Sequence, residues 1–144
     1  MTKIAPLQGT HIPALAKIER ACFPDYWGQE TWRASFARPD FFGFVLEELG
    51  EIVGYACGTS LFEDSELLRI AVLSEKRKGG LGTELLLALI AEAKEKGAEK
   101  MFLEVREGNT PALKLYEKHG FTPIRVRKNY YADGENGVEM VKEF

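Results

Sequence analysis

One stretch limits the architecture of this chain more than any other. An apolar run, Leu68-Arg69-Ile70-Ala71-Val72, leads into a basic, glycine-rich loop, Lys76-Arg77-Lys78-Gly79-Gly80-Leu81-Gly82-Thr83, that opens an unbroken helical pattern running from about Gly80 to Lys96. Leu81, Leu85, Leu89 and Ala93 recur at i, i+4, and Leu86 and Ile90 widen the stripe into a core-facing side. Gly97 is placed to stop the helix, and Lys100–Arg106 beyond it reads as the next strand. A strand, a long helix and a second strand form a crossover, which requires a sheet with a helix lying on its face.

The flanking segments extend this pattern. Thr10 is suited to cap a first helix carrying Ile12, Leu15, Ile18 and Cys22 on one stripe. The run Cys22-Phe23-Pro24-Asp25-Tyr26-Trp27-Gly28 breaks it, and a second helix over about Gln29–Arg38 ends before Pro39. Phe41–Glu48 and Glu51–Ser60 read as a hairpin around Leu49-Gly50, and Leu67–Leu73 as a further strand. Thr110–Lys118 is a helix stopped by Gly120, and Phe121–Tyr131 and Val138–Glu143 are two strands joined by Asp133-Gly134-Glu135-Asn136-Gly137. The order is β-α-α-β-β-β-α-β-α-β-β. It predicts an α+β fold in which a mixed, mostly antiparallel sheet carries helices on both faces.

With 144 residues and no linker, repeat or low-complexity tract, the chain reads as a single domain over residues 1–144. A net charge of −3 argues against a nucleic-acid binder that works through a general basic field, and it is compatible with a cationic partner such as an amine. No apolar run approaches a membrane span, and Met1–Pro6 lacks a signal-peptide core, so the expected location is cytoplasmic with no membrane partner. Cys22 and Cys57 are far apart and form no C-x-x-C pair. They are expected to be buried thiols, and no metal site is expected.

Two segments carry chemistry. Residues Lys76–Thr83 place glycines and positive charge before a helix N-terminus, where free N–H groups and the helix dipole attract an anion. A Walker loop is excluded because no Lys follows Gly82, and Leu85 stands where a dinucleotide fingerprint needs its last glycine. The same residues also fit a solvated basic turn in which the glycines serve local geometry. In the second segment Glu104 interrupts the apolar strand Phe102-Leu103-Glu104-Val105-Arg106. A carboxylate taken from water there is costly; burial would raise its pKa and make it a candidate general base. The plainer alternative is a pair with Arg106, two residues on along the same face. Tyr116 reads as a half-buried core tyrosine with a wet hydroxyl, and His119 as a residue that caps helix-end carbonyls.

Taken together and in this order, the segments resemble the GNAT superfamily of N-acetyltransferases over about residues 1 to 143. The phosphate signature Q/R-x-x-G-x-G/A stands as Arg77-Lys78-Gly79-Gly80-Leu81-Gly82. The Ile70-Ala71-Val72 strand precedes it, and Leu103-Glu104-Val105-Arg106, Asn109 and Ala112–Phe121 follow. The tail Arg127-Lys128-Asn129-Tyr130-Tyr131-Ala132-Asp133-Gly134-Glu135 is similar to that of protein N-terminal acetyltransferases, the ribosomal-protein-alanine (RimI-type) enzymes and the catalytic subunits of eukaryotic and archaeal ones. Where RimI-type relatives carry Phe-Pro-Trp-Ser, this chain carries Phe23-Pro24-Asp25-Tyr26-Trp27-Gly28, a departure that bears on peptide preference.

The resemblance implies acetyl-CoA as cosubstrate, no metal, and a protein or peptide N-terminus as acceptor, handled by a monomer or weak dimer. It implies that the backbone of Ile70, Ala71 and Val72 pairs with the pantetheine arm. Arg77, Lys78, Gly79, Gly80, Leu81, Gly82 and Thr83 would wrap the pyrophosphate, and Asn109 would contact the cofactor. Glu104 becomes the general base and Tyr116 the general acid, while Tyr26, Trp27, Tyr130 and Tyr131 hold the peptide. Two rivals remain: a GNAT enzyme acting on a small amine, an antibiotic or a lysine side chain, and a non-enzymatic CoA-binding module. Peptides with free and blocked N-termini separate the first from the lead reading; binding without turnover would mark the second.

Overall fold

The structure is a computed structural model that describes residues 2–77 and 79–144. Its strands are β1 (Thr2–Pro6), β2 (Phe41–Glu48), β3 (Glu51–Leu61), β4 (Asp64–Val72), β5 (Lys100–Arg106), β6 (Thr122–Arg127) and β7 (Gly137–Glu143). Its α-helices are α1 (Ile12–Cys22), α2 (Gln29–Phe36), α3 (Leu81–Glu95) and α4 (Thr110–Lys118). The strands form one seven-stranded sheet in the order β1-β2-β3-β4-β5-β7-β6. β1 to β4 run as an antiparallel meander; α3 then crosses over so that β5 lies parallel to β4. β7 returns antiparallel between β5 and β6. This is the mixed, mostly antiparallel sheet expected from the sequence.

Helices cover both faces. Leu85, Leu86, Leu89, Ile90 and Ala93 of α3 pack with Tyr116 and Phe121 against Met101, Leu103, Val105 and Met140 of the sheet. On the other face Leu15 and Ile18 of α1 and Trp32 of α2 pack against Val45, Tyr55, Cys57 and Ala71. Gly54 of β3 makes room for α3, because a Cβ there would stand 2.9 Å from the Ala71 carbonyl and 3.3 Å from Leu85 Cδ1.

Four boundaries differ from the sequence reading, each for a local reason. Thr10 does not cap α1: the chain first makes a 3-10 turn over Gly9–His11, with the Gln8 N–H donating to His11 Nδ1 at 3.0 Å, and α1 starts with a proline in its first turn. α2 ends at Phe36, where Ala37 N–H closes on Arg33 O at 3.1 Å, two residues short of the expected end. β4 begins at Asp64 rather than Leu67, because Leu61 pairs with Asp64 around a two-residue turn. Its polar start, Asp64-Ser65-Glu66, showed no apolar alternation. β6 stops at Arg127, and Asn129 at φ 53° turns the chain out of the sheet, so Tyr130 and Tyr131 belong to the β6–β7 loop.

Candidate active site

The site starts from a failure of pairing. β4 and β5 match only over Asp64–Lys100, Ser65–Met101 and Glu66–Phe102, although both strands continue. Opposite this point Cys57 pairs with Arg69 and Gly58 with Leu67, leaving Leu68 as an extra residue in β4. Such a bulge bends its strand and adds twist. Beyond it the strands diverge, and Ile70, Ala71 and Val72 keep their β3 partners but have no ladder with β5. A strand edge of this kind accepts an extended ligand as an added strand.

α3 begins just past the end of β4. Gly80 is its N-cap at φ 79°, a left-handed conformation that favours glycine, and no side chain caps the helix. The first helical bond is Glu84 N–H to Gly80 O at 3.1 Å, so the amides of Leu81, Gly82 and Thr83 have no helical partner. Among the described residues a Cβ on Gly82 would meet nothing nearer than Leu115 Cδ2 at 3.9 Å, and one on Gly79 nothing nearer than Leu81 Cγ at 4.0 Å. These amides and the helix dipole suit a diphosphate. Arg77 turns back from this turn: its Nε donates to Val72 O at 2.8 Å and its Nη2 lies 3.6 Å from Cys22 Sγ. Lys78 lies outside the described residues. Asn109 is the N-cap of α4, where its Oδ1 accepts from Ala112 N–H at 3.3 Å.

Glu104 sits on the diverging half of β5, opposite Glu139 of β7. Its pair is not Arg106, as local spacing allowed, but Arg127 of β6, whose Nε donates to Glu104 Oε1 at 2.7 Å. The other oxygen, Oε2, is buried and has no hydrogen-bond partner among the described residues. Burial pushes the Glu104 carboxyl above its ordinary value, while the Arg127 charge and hydrogen bond pull it down. An unpaired oxygen on a desolvated, partly tuned carboxylate is the chemistry of a general base. Tyr116 is buried on α4, edge-on to Phe121 at 5.8 Å, and burial holds its hydroxyl protonated far above neutral pH. Tyr131 is half-buried near both: burial and then the Glu104 charge push it up to about 12, against the Arg106 guanidinium, and Tyr131 in turn adds to the upward shift of Tyr116. The thiols are poor nucleophiles, since burial raises both Cys22 and Cys57. Cys57 is fully buried as expected, whereas Cys22 is only partly so.

Two loops flank the divergence. In the α1–α2 loop Tyr26 is 45% exposed, whereas Trp27 is half-buried and meets Trp32 edge-on at 4.9 Å. In the β6–β7 loop Tyr130 is exposed and meets Tyr131 edge-on at 5.0 Å.

Residues 12–121 match the acetyltransferase (GNAT) family. The chain belongs to the GNAT acetyltransferase family. This GNAT enzyme is 34% identical over 144 residues to an N-alpha-acetyltransferase from Sulfurisphaera tokodaii, covering 91% of this chain and 86% of that protein. It is also 34% identical over 131 residues to the [ribosomal protein bS18]-alanine N-acetyltransferase of Escherichia coli, covering 91% and 88%. The crystal structure of the ribosomal-protein-S18-alanine N-acetyltransferase from Escherichia coli superposes with a TM-score of 0.92 at 32% identity, over 99% of this chain and 94% of that one.

Sequence reasoning about this acetyltransferase missed one feature of the site, a buried carboxylate. Glu19 of α1 is 0% exposed. It accepts from Trp27 N–H at 2.8 Å, from Arg69 Nη2 at 3.0 Å and from the Tyr55 hydroxyl. Arg69 also donates to Asp25 O at 2.8 Å and lies 4.3 Å above the Phe23 ring. A charge this deep is stable only when paired and fully hydrogen-bonded, and here those bonds fix the α1–α2 loop. The signal was present: Glu19 falls four residues after Leu15, on the stripe that was read as apolar. His119 is the C-cap of α4, but through its backbone: its N–H donates to Tyr116 O at 3.1 Å, while its Nε2 is buried with no hydrogen-bond partner among the described residues.

Proposed function

We propose that this enzyme transfers the acetyl group of acetyl-CoA to the α-amino group of a protein N-terminus by direct attack of the amine. The observation that carries the reading is Glu104 Oε2, buried without a partner among the described residues where β4 and β5 diverge, between two aromatic loops. The two similar relatives, named for N-alpha and ribosomal-protein-alanine acetylation, support the choice of acceptor.

Acetyl-CoA, a substrate here, supplies an acyl group already activated as a thioester. The amides of Gly80 to Thr83 suit its pyrophosphate, and the β4 edge over Ile70 to Val72 suits its pantetheine arm once Arg77 releases Val72 O and turns to the pyrophosphate; Lys78 and Asn109 complete this assignment. The acceptor must be a neutral amine. An α-amine has a pKa of about 7.7–8.0, so roughly a tenth is neutral at pH 7, against well under a thousandth of a lysine. Glu104 therefore has little work to do: it accepts the amine proton, directly or through one water. A backbone N–H near Val72 stabilises the oxyanion as the carbon–nitrogen bond forms. As the carbon–sulfur bond breaks, Tyr116 gives its proton to the departing thiolate. Tyr26, Trp27, Tyr130 and Tyr131 line the peptide's path.

The test is release of CoA on a peptide panel varied at its first two residues, with N-terminally blocked controls. Turnover of a subset of free N-termini and of no blocked peptide is the expected result. Turnover of blocked, lysine-bearing peptides would move the acceptor to a side chain.

A further inference from the structure

Arg106 ends β5 two residues beyond Glu104 and on the same face, and the mechanism above gives it no task. Its Nη1 donates to Asp133 Oδ2 at 2.9 Å and to Glu135 Oε1 at 2.9 Å. Its Nη2 lies 3.6 Å from Asp25 Oδ2, and its guanidinium stacks 4.1 Å from the centre of the Tyr131 ring. Asp25 belongs to the α1–α2 loop; Tyr131, Asp133 and Glu135 belong to the β6–β7 loop. One guanidinium thus touches both loops that flank the divergence. The β6–β7 side is tied down further, because Glu135 Oε2 accepts from Gly108 N–H at 2.9 Å and Asp133 Oδ1 from Glu135 N–H at 3.1 Å.

We propose that Arg106 is a positioning residue that pins the α1–α2 loop to the β6–β7 loop and so sets the width of the peptide groove. The inference rests on the peptide-acetylating reading above. A guanidinium suits the task because its planar fork directs separate nitrogens at separate carboxylates, which a lysine ammonium does not do with fixed geometry. The Arg106 side chain is 21% exposed, and three carboxylates together with the Tyr131 ring hold it in place. Partly exposed ion pairs add little to global stability. Their effect here lies elsewhere: loops already joined need not be ordered when the peptide binds, and that ordering cost otherwise weakens binding. Loss of the pin therefore raises the KM for peptide and leaves acetyl-CoA, held on α3 and β4, unaffected.

The experiment compares Arg106→Gln, Arg106→Lys, Asp25→Asn and the Arg106→Gln/Asp25→Asn pair with the wild type. Peptide KM, acetyl-CoA KM, kcat and Tm are measured for each, with hydrogen exchange over residues 23–28 and 129–136. Arg106→Gln is expected to raise peptide KM roughly tenfold with little change in acetyl-CoA KM or Tm, and Arg106→Lys to fall in between. The double variant should be no worse than Arg106→Gln alone, because Asp25 acts through Arg106. Exchange should quicken in both loops. An unchanged peptide KM, two effects that multiply independently, or faster exchange in one loop only would overturn the proposal. Should Arg106→Gln fail to fold, Asp25→Asn and Asp133→Asn each cut one side of the pin; faster exchange in both loops supports it, and faster exchange only in the loop carrying the substitution overturns it. A wild type silent on every peptide refutes the substrate assignment, while the exchange data still decide whether the pin exists.

Discussion

Along β5, Met101, Leu103 and Val105 are 0%, 1% and 5% exposed and face α3, while Phe102, Glu104 and Arg106 alternate with them and stay partly open. The first set packs within the hydrophobic cluster beneath α3. The second set meets a lattice of charge from other strands and loops: Arg127 and Glu139 beside Glu104, and Asp25, Asp133 and Glu135 around Arg106. Strand geometry places these environments one residue apart, because successive side chains point to opposite faces. The apolar face fixes where β5 lies, which lets the other face keep a partly desolvated carboxylate with one oxygen unpaired. Stability and reactivity can then be removed separately, and the following experiments attempt this.

Glu104→Gln keeps the shape of the side chain and removes its basicity. It should lower kcat by about 10²–10⁴-fold while acetyl-CoA affinity stays nearly unchanged; single-turnover kinetics beside a CoA titration read both. Glu19→Ala leaves Arg69 without its buried partner and should cost about 3–5 kcal/mol in denaturant unfolding, showing that the charged face also contains a structural charge. Leu103→Ala, one residue from Glu104, should cost about 2–5 kcal/mol while kcat per folded molecule holds. A large loss of kcat in that folded fraction would break the division between the faces.

Arg127→Gln sharpens the comparison through pH. In the proposed mechanism Glu104 takes the amine proton only when ionised, so activity should fall as pH drops through its raised pKa. Arg127 works against burial and lowers that pKa. Without Arg127 the acid limb of kcat should move to higher pH, and a limb that stays in place would remove Glu104 as its source. The smallest effect is expected from Arg125→Gln. Arg125 pairs with Glu139 at 59% side-chain exposure, and its loss should change unfolding free energy by less than about 0.5 kcal/mol.

What could be read ahead of the structure divides along the same line. The α3 stripe and the spacing of Met101, Leu103 and Val105 are local periodicities, and they gave α3 and β5 within a residue of their observed ends. Glu104 announced itself as a charge in an apolar strand. Its partner did not, because Arg127 reaches it only through a sheet order that inserts β7 between β5 and β6. The polar start of β4 and the turn at Asn129 carried no periodic signal, since pairing with β3 and a positive φ decide them. The contacts that half-bury Trp27, with Trp32 and Arg69, join segments distant in the chain or in different elements and leave no periodic signal either.

The central claim is that the base on the charged face of β5 serves an α-amine. The most direct test is mass-spectrometric location of the acetyl group on one peptide that carries both a free N-terminus and an internal lysine, after incubation with the enzyme and acetyl-CoA. The account predicts acetylation of the α-nitrogen with the lysine untouched. Acetyl found on the lysine Nζ, with the N-terminus free, would contradict it.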